Sequence, residues 1–106
     1  MPGYQILYAC RYCTNVISTK SFKVNETFYD LLLTKTFNLI QEDKIMMTDG
    51  DKFQNLFCSK CGMELGMFCL ESQSNAQMTG LSLIQKAHLV VYDSYELPFE
   101  MPSSHD

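Results

Sequence analysis

The sequence predicts a small, mainly β domain that one structural zinc ion holds together. The first observation behind this prediction is a set of two Cys-x-x-Cys pairs, Cys10/Cys13 and Cys58/Cys61. The second is a series of short segments rich in aromatic and β-branched residues, which favour strands. The third is size, because a chain of 106 residues makes one domain with a thin stability margin, which a metal ion improves.

The first third of the chain consists of β-prone segments. Residues 4–9, YQILYA, lead directly into the first cysteine pair, as expected of a strand that delivers a metal-binding turn. Residues 16–17 and 22–24 are short and equally β-prone. We therefore expect strands in this part of the chain.

Residues 27–41 fit two alternatives. Apolar residues at positions 28, 31, 32 and 39 have the spacing of a helical stripe, and Asn25 or Thr27 would cap such a helix, with Asp30 as the acidic partner. The aromatic and β-branched content of the segment favours extended structure instead. The sequence leaves both a short helix and strands open here.

The second half of the chain is also β-prone. In order, we predict a turn at residues 48–51, a strand at 53–58 that enters the second cysteine pair, a strand at 65–70 and a polar loop at 72–80. Residues 81–84 and 88–92 are predicted to form a final strand pair or one bulged strand. We expect the domain to cover residues 1–97, and the Pro- and Ser-containing residues 98–106 to form a flexible tail.

Each cysteine pair places two thiolates where one tight turn, here called a knuckle, can point both sulfurs at the same ion. Two knuckles complete a tetrahedron of sulfurs at about 2.3 Å from the metal with no position left for water, which describes a structural zinc site. Gly62 follows the second pair, where a residue without Cβ eases the turn. Because residues 14–57 exceed the about 15–20 residues between the pairs of ordinary zinc sites, we expect the knuckles to come from distant hairpins that the metal joins.

The fifth cysteine, Cys69, lies outside this pattern. We expect it to pack as a small buried hydrophobe, because a catalytic thiol needs an activating neighbour and only His88 and His105 could supply an imidazole. His88 is expected to be an ordinary core or surface histidine rather than a ligand. The sequence therefore predicts no catalytic residue.

Charge and hydrophobicity argue against two classes of function. The chain has 8 basic and 12 acidic residues, and the basic ones are scattered, so it has no basic patch to neutralise nucleic-acid phosphates. No apolar run approaches the about 20 residues that span a bilayer. Five cysteines without a signal sequence indicate reduced thiols in a nuclear or cytoplasmic protein.

The second knuckle and its surroundings, residues 56–68 (LFCSKCGMELGMF), resemble the Cys-x-x-Cys, Leu-Gly, aromatic signature of the zinc β-tent superfamily. This superfamily includes the Mis-eighteen and Yippee proteins, the thalidomide-binding domain of cereblon, methionine sulfoxide reductase B and the C-terminal domains of RIG-I-like receptors. The resemblance covers roughly residues 8–92 and implies two antiparallel sheets that meet at a zinc apex.

Within the superfamily the chain is most similar to the Mis-eighteen and Yippee pattern, which it resembles at residues 50–66, Ser72, Ala76, Gly80-Leu81, Leu83 and residues 90–92. That resemblance implies a non-catalytic scaffold, without a small-molecule substrate, that binds other proteins, forms homo- or hetero-oligomers and helps to load the centromere-specific histone. Tyr92, Tyr95 and the Met46-Met47 pair are candidate contact residues, although sheet packing is the alternative for the tyrosines and we expect most methionines to lie in the core.

Three other members of the superfamily fit less well. Residues 22–26 and the ending Leu97-Pro98-Phe99 resemble the RIG-I-like receptor domain, whose RNA face is lined with lysines, but residues 61–85 contain no lysine or arginine. Cereblon binds its ligand in a cage of three tryptophans, and this chain has no tryptophan. The sulfoxide reductase carries its nucleophile in an Arg-x-Cys-x-Asn motif, whereas Cys69 lies in the sequence MFCLE.

Overall fold

The computed structural model describes residues 5–93, which form strands joined by turns and short 3-10 segments, without an α-helix. Strands also replace the short helix that the sequence leaves open in residues 27–41. The ten strands are β1 (Ile6–Cys10), β2 (Val16–Thr19), β3 (Lys23–Glu26), β4 (Asp30–Leu33), β5 (Leu39–Gln41), β6 (Met46–Thr48), β7 (Asp51–Cys58), β8 (Glu64–Glu71), β9 (Ser82–Gln85) and β10 (Leu89–Asp93). The predicted tail at 98–106, Tyr95 and His105 lie outside the described residues.

The strands form two antiparallel sheets, as the resemblance implied. The small sheet has the order β10-β1-β2, and the large sheet has the order β3-β4-β9-β8-β7-β5, with β6 also paired to β7. The chain begins in the small sheet, builds the large sheet from β3 to β9, and returns to the small sheet with β10. Each sheet thus contributes one hairpin that carries a cysteine pair, β1–β2 in the small sheet and β7–β8 in the large one.

The predicted pairing of residues 81–84 with residues 88–92 is wrong. Strand β9 pairs with β4 and β8 in the large sheet, whereas β10 pairs with β1 in the small sheet. The 3-10 segment Lys86–His88 redirects the chain from one sheet to the other. Residues 81–84 and 88–92 are both apolar and close in sequence, and their composition does not indicate which strand each will pair with. Pairing them as a hairpin is the default prediction, and it is wrong here because the chain crosses from one sheet to the other.

The core lies between the sheets. Tyr8 and Ile17 from the small sheet are buried in one cluster with Leu31, Leu33 and Ile84 from the large sheet. Leu31 lies directly opposite Ile84 in the β4–β9 ladder, so the two side chains share the inner face. Apolar packing therefore holds the two sheets together, in addition to any metal ion that the cysteines bind.

Gly66, the glycine of the Leu-Gly signature, marks the closest approach of two strands. It lies in β8 opposite Ile84 of β9, and a Cβ at this position would be 2.1 Å from the carbonyl oxygen of Leu83. No side chain fits such a gap, so glycine is required by the packing of β8 against β9 rather than by an unusual φ angle.

Two methionines of the described residues are exposed, Met47 and Met63, and of these Met63 was expected to lie in the core. Met47 is 66% exposed on β6, which agrees with the expectation for the Met46-Met47 pair, and Met63 in the second knuckle is 39% exposed.

None of the helical segments within residues 5–93 is long and apolar enough to cross a bilayer.

Candidate metal centre

The first knuckle closes the β1–β2 hairpin. Strand β1 ends at Cys10, whose amide donates to the carbonyl of Asn15 at 2.8 Å, and Thr14 donates back to the carbonyl of Cys10 at 2.8 Å. These two bonds wrap residues 11–14 into a tight turn that points Cys10 and Cys13 the same way. The turn requires a φ of 63° at Thr14, a conformation that is strained for a β-branched residue.

The second knuckle repeats this arrangement at the end of the β7–β8 hairpin. The amide of Cys58 donates to the carbonyl of Met63 at 2.8 Å, and Gly62 donates to the carbonyl of Cys58 at 2.9 Å. Gly62 has a φ of 81° and stands four residues after Cys58, as Thr14 stands four residues after Cys10. The predicted role of Gly62 in easing the turn is therefore confirmed, and the first knuckle carries out the same turn without a glycine.

The structure brings together the four cysteines that the sequence singled out. Their Sγ atoms all lie within 4.8 Å of one another, and the separations include 3.6 Å for Cys10 to Cys61 and 3.5 Å for Cys13 to Cys58. Four sulfurs at about 2.3 Å from a tetrahedral zinc ion are about 3.8 Å apart. These distances fit a single ion and are far longer than the about 2.05 Å of a disulfide bond.

The sulfur of Cys58 accepts hydrogen bonds from both hairpins. The backbone N–H of Lys60 donates to it at 3.4 Å, and the side-chain Nδ2 of Asn15 donates to it from the first knuckle at 3.6 Å. Burial opposes ionisation of this thiol, but these donors and the N–H of Cys61 outweigh burial and lower the pKa of Cys58 to about 6.

The thiols of the first knuckle are shifted in the opposite direction. Burial raises the pKa of Cys13 to about 12, and burial is also the main reason that the pKa of Cys10 is raised. A metal ion binds the thiolate and releases the proton. Burial therefore opposes loss of the thiol proton at Cys10 and Cys13, whereas hydrogen-bond donors favour it at Cys58.

A short strap, residues 34–38, ties the small sheet to the second knuckle. The amide of Phe37 donates to the carbonyl of Ile17 at 2.8 Å, and the side chain of Asn38 donates to the carbonyl of Val16 at 2.7 Å. The carbonyl of Asn38 in turn accepts a bond from Ser59 of the second knuckle at 2.9 Å. These protein contacts help to align the two knuckles.

Three supporting residues, Thr14, Asn15 and Asn38, were not recognised from the sequence. Nothing in the sequence distinguishes them from ordinary loop residues, because their role depends on the meeting of two hairpins. Even so, Asn38, with a φ of 59°, is of a residue type that adopts this conformation more readily than most.

The remaining candidates lie outside the cluster. His88 is partly buried and its Nδ1 pairs with the hydroxyl of Tyr12 at 2.7 Å, so its ring packs against the first knuckle rather than joining the four sulfurs. Cys69 is fully buried, as expected, and burial raises the pKa of its thiol. Tyr92 is half-buried in β10.

Comparison with known proteins identifies the fold. Among solved structures, a Mis18 Yippee-like domain matches this chain with a TM-score of 0.77, covering 83% of this chain and 95% of that one at 15% sequence identity. The chain has the Yippee-like fold. No family model and no curated protein sequence matches it. At this identity the Yippee-like likeness establishes the architecture, and the cysteine cluster at its apex agrees with the metal site that the sequence predicts.

Proposed function

We propose that this protein is a non-catalytic protein-interaction module whose fold is stabilised by one zinc ion bound to Cys10, Cys13, Cys58 and Cys61. The observation that supports this proposal is the completeness of the donor set. Four sulfurs from two hairpins supply all four ligands of a tetrahedral ion, which leaves no position for a water molecule or a substrate. Such a site links two sheets and performs no chemistry.

The position of Cys69 supports the absence of an enzyme activity. A sulfoxide reductase needs an exposed, activated thiolate, whereas Cys69 has 0% exposure and a raised pKa. His88, the histidine that could act as a base, is hydrogen-bonded to Tyr12 beside the first knuckle rather than to Cys69. The reductase alternative therefore lacks both an accessible nucleophile and a partner base.

Surface charge disfavours the RNA-binding alternative. The ammonium groups of Lys23 and Lys86 both bind the carboxylate of Glu26, which offsets part of their positive charge. Residues 61–85 carry no basic side chain. RNA affinity depends on cations that are free to replace counterions, and residues 61–85 offer none.

In this proposal the module acts as a scaffold, alone or with other copies, in the nucleus or the cytoplasm. The Mis-eighteen resemblance makes assembly on centromeric chromatin the first setting to examine. Several large apolar side chains on the described surface are well exposed, which supports a role in binding other proteins. They are Val24, Phe28, Tyr29, Ile40, Ile45, Met47 and Val91.

Two measurements on the purified full chain test the proposal. Native mass spectrometry should find one zinc ion per chain, and a strong chelator should remove it and abolish the near-ultraviolet circular dichroism of the folded domain. Light scattering after size exclusion should give a mass above that of the monomer, or a defined complex with a co-purified partner. A metal-free protein that stays folded would refute the zinc role, and a strict monomer without a partner would refute the scaffold role.

The same preparation separates the alternatives. A salt-sensitive mobility shift with double-stranded RNA would favour the nucleic-acid function, and turnover of methionine sulfoxide that disappears in Cys69→Ser would favour the enzyme. We expect neither.

A further inference from the structure

A groove away from the cysteines lies at the tip of the β3–β4 hairpin. This groove has a volume of about 460 Å³ and is lined by Phe28, Tyr29, Asp30, Gln85, Lys86 and Ala87. Asp30 and Gln85 are directly opposite each other in the β4–β9 ladder, one position before the core pair Leu31 and Ile84. Because side chains alternate along a strand, Asp30 and Gln85 face away from the core and form the floor of the groove.

Two aromatic rings form one wall. Phe28 is 82% exposed and Tyr29 is 72% exposed, the highest values among the large apolar side chains of residues 5–93. The rings meet edge to face, with centroids 4.8 Å apart and planes at 89°. They therefore form a corner with two π faces open to solvent.

The backbone beneath these rings is fixed. The hydroxyl of Thr27 accepts bonds from the amides of Tyr29 and Asp30, at 3.3 and 3.0 Å, and the amide of Thr27 donates to the carbonyl of Asp30 at 2.8 Å. Lys86 donates its amide to the carbonyl of Tyr29 at 2.8 Å, which attaches the tip to the β9–β10 connection. A partner that docks here does not have to order a loose loop, so little binding free energy is lost.

The carboxylate of Asp30 has no hydrogen-bond or ion-pair partner among residues 5–93, and Lys86 in the groove lining acts on it only through space. The nearby ammonium of Lys86 donates to Glu26 at 2.7 Å, and Lys23 binds the same glutamate. Partial burial raises the pKa of Asp30, while the positive charge of Lys86 lowers it. A half-buried carboxylate without a bonding partner remains available to a donor from outside.

We propose that this groove binds an arginine side chain of a partner protein. A planar guanidinium can stack on the ring of Tyr29 or Phe28 while two of its N–H groups donate to Asp30, and the amide oxygen of Gln85 can accept a third. The chain carries a net charge of −4, which favours a basic partner. This inference rests on the proposed role as a protein-binding module and names the chemistry of its partner.

Other occupants fit the groove less well. An acidic side chain would face Asp30, while the ammonium of Lys86 in the groove lining already donates to Glu26. An aliphatic side chain would cover the rings but leave the carboxylate of Asp30 buried without a donor, which is costly. A lysine would satisfy the charge but has no plane to stack and no paired donors.

Nuclear magnetic resonance titration of the ¹⁵N-labelled, zinc-loaded full chain tests the proposal with three peptides, which carry arginine, citrulline or lysine at the same position. The probe is Ac-Ser-Gly-Arg-Gly-Ser-NH₂, and the matched control replaces arginine by citrulline, which has the same shape without the charge. We expect the arginine peptide to shift the amides of Tyr29, Asp30 and Lys86 with a dissociation constant in the millimolar range. The citrulline and lysine peptides should bind at least about fivefold more weakly. Equal shifts with arginine and citrulline would overturn the proposal.

Variants locate the binding. Asp30→Asn keeps the shape of the side chain and should weaken arginine-peptide binding about fivefold, as should Tyr29→Ala, whereas Asp43→Asn removes an exposed carboxylate elsewhere and should change nothing. Binding that survives in Asp30→Asn, or falls equally in Asp43→Asn, would show diffuse attraction to an acidic surface and refute the site. The peptide comparison on the unaltered protein decides the matter even if a variant fails to fold. The mass and partner measurements above do not involve this groove, so the two proposals can fail separately.

Discussion

Replacing Gly66 by alanine tests the packing at the centre of the large sheet. The new Cβ would lie 2.1 Å from the carbonyl oxygen of Leu83 and 2.8 Å from the Cα of Ile84, where ordinary contacts begin at 3.4 Å. Strand β9 would have to move away from β8 by more than about 1 Å, and overpacking on this scale costs about 1–3 kcal/mol. Each ladder hydrogen bond that is lost adds about 1 kcal/mol. We expect Gly66→Ala to lower the free energy of unfolding by about 3 kcal/mol.

Urea denaturation followed by far-ultraviolet circular dichroism, with zinc in excess, measures this loss. In a domain of this size it corresponds to a fall in melting temperature of about 12–24 °C. Gly80→Ala is the matched control, because Gly80 has a φ of 84° and no atom within 4 Å of an added Cβ. Backbone strain alone should make the control less stable by about 1 kcal/mol. If Gly66→Ala proves no less stable than Gly80→Ala, the steric argument for the signature glycine is wrong.

Three further predictions concern the metal centre. Asn15→Ala removes a donor to the second knuckle and should weaken zinc affinity about tenfold in competition with a chromophoric chelator; unchanged affinity would contradict this. Thr14→Gly relieves strain and should raise stability by up to about 1 kcal/mol, whereas Gly62→Ala at the equivalent position should lower it by about 1 kcal/mol. Thermal denaturation would contradict the equivalence if both changes had the same sign. Cys61→Ser should lose zinc and unfold, whereas Cys69→Ser should retain one zinc ion per chain, as measured by elemental analysis. Loss of zinc from both variants would refute the assignment of the four ligands.

The strands beside the cysteines were predictable because local signals agree with the final structure. An aromatic and branched segment precedes each pair, and the Asp49-Gly50 turn closes the β6–β7 hairpin with φ angles of 50° and 87°, as that dipeptide favours. The grouping of the four cysteines was predictable for a related reason. A tetrahedral metal site needs four thiolates in one place. Two short cysteine motifs therefore predicted a contact between residues far apart in the chain.

The rest could not be predicted because it depends on contacts between distant segments. In β4, Leu31 and Leu33 face the main core while Leu32 is buried on the opposite face, so the strand shows no alternation and could be mistaken for part of a helix. The groove at the hairpin tip could not be predicted from the sequence either, because Asp30 lies opposite Gln85 only when β9 pairs with β4. Exposure of Met63 follows from its place in a knuckle rather than from its type.

The strand order has a consequence for how the chain folds as it is synthesised. All four cysteines are present once residue 61 has been made, whereas the small sheet is completed only by β10, Leu89–Asp93. Because synthesis proceeds from the N-terminus, a growing chain can join its two hairpins through a metal ion before the strand that closes the small sheet exists. The ion would then shorten the long loop that β10 must close, which lowers the entropic cost of the last and most distant pairing.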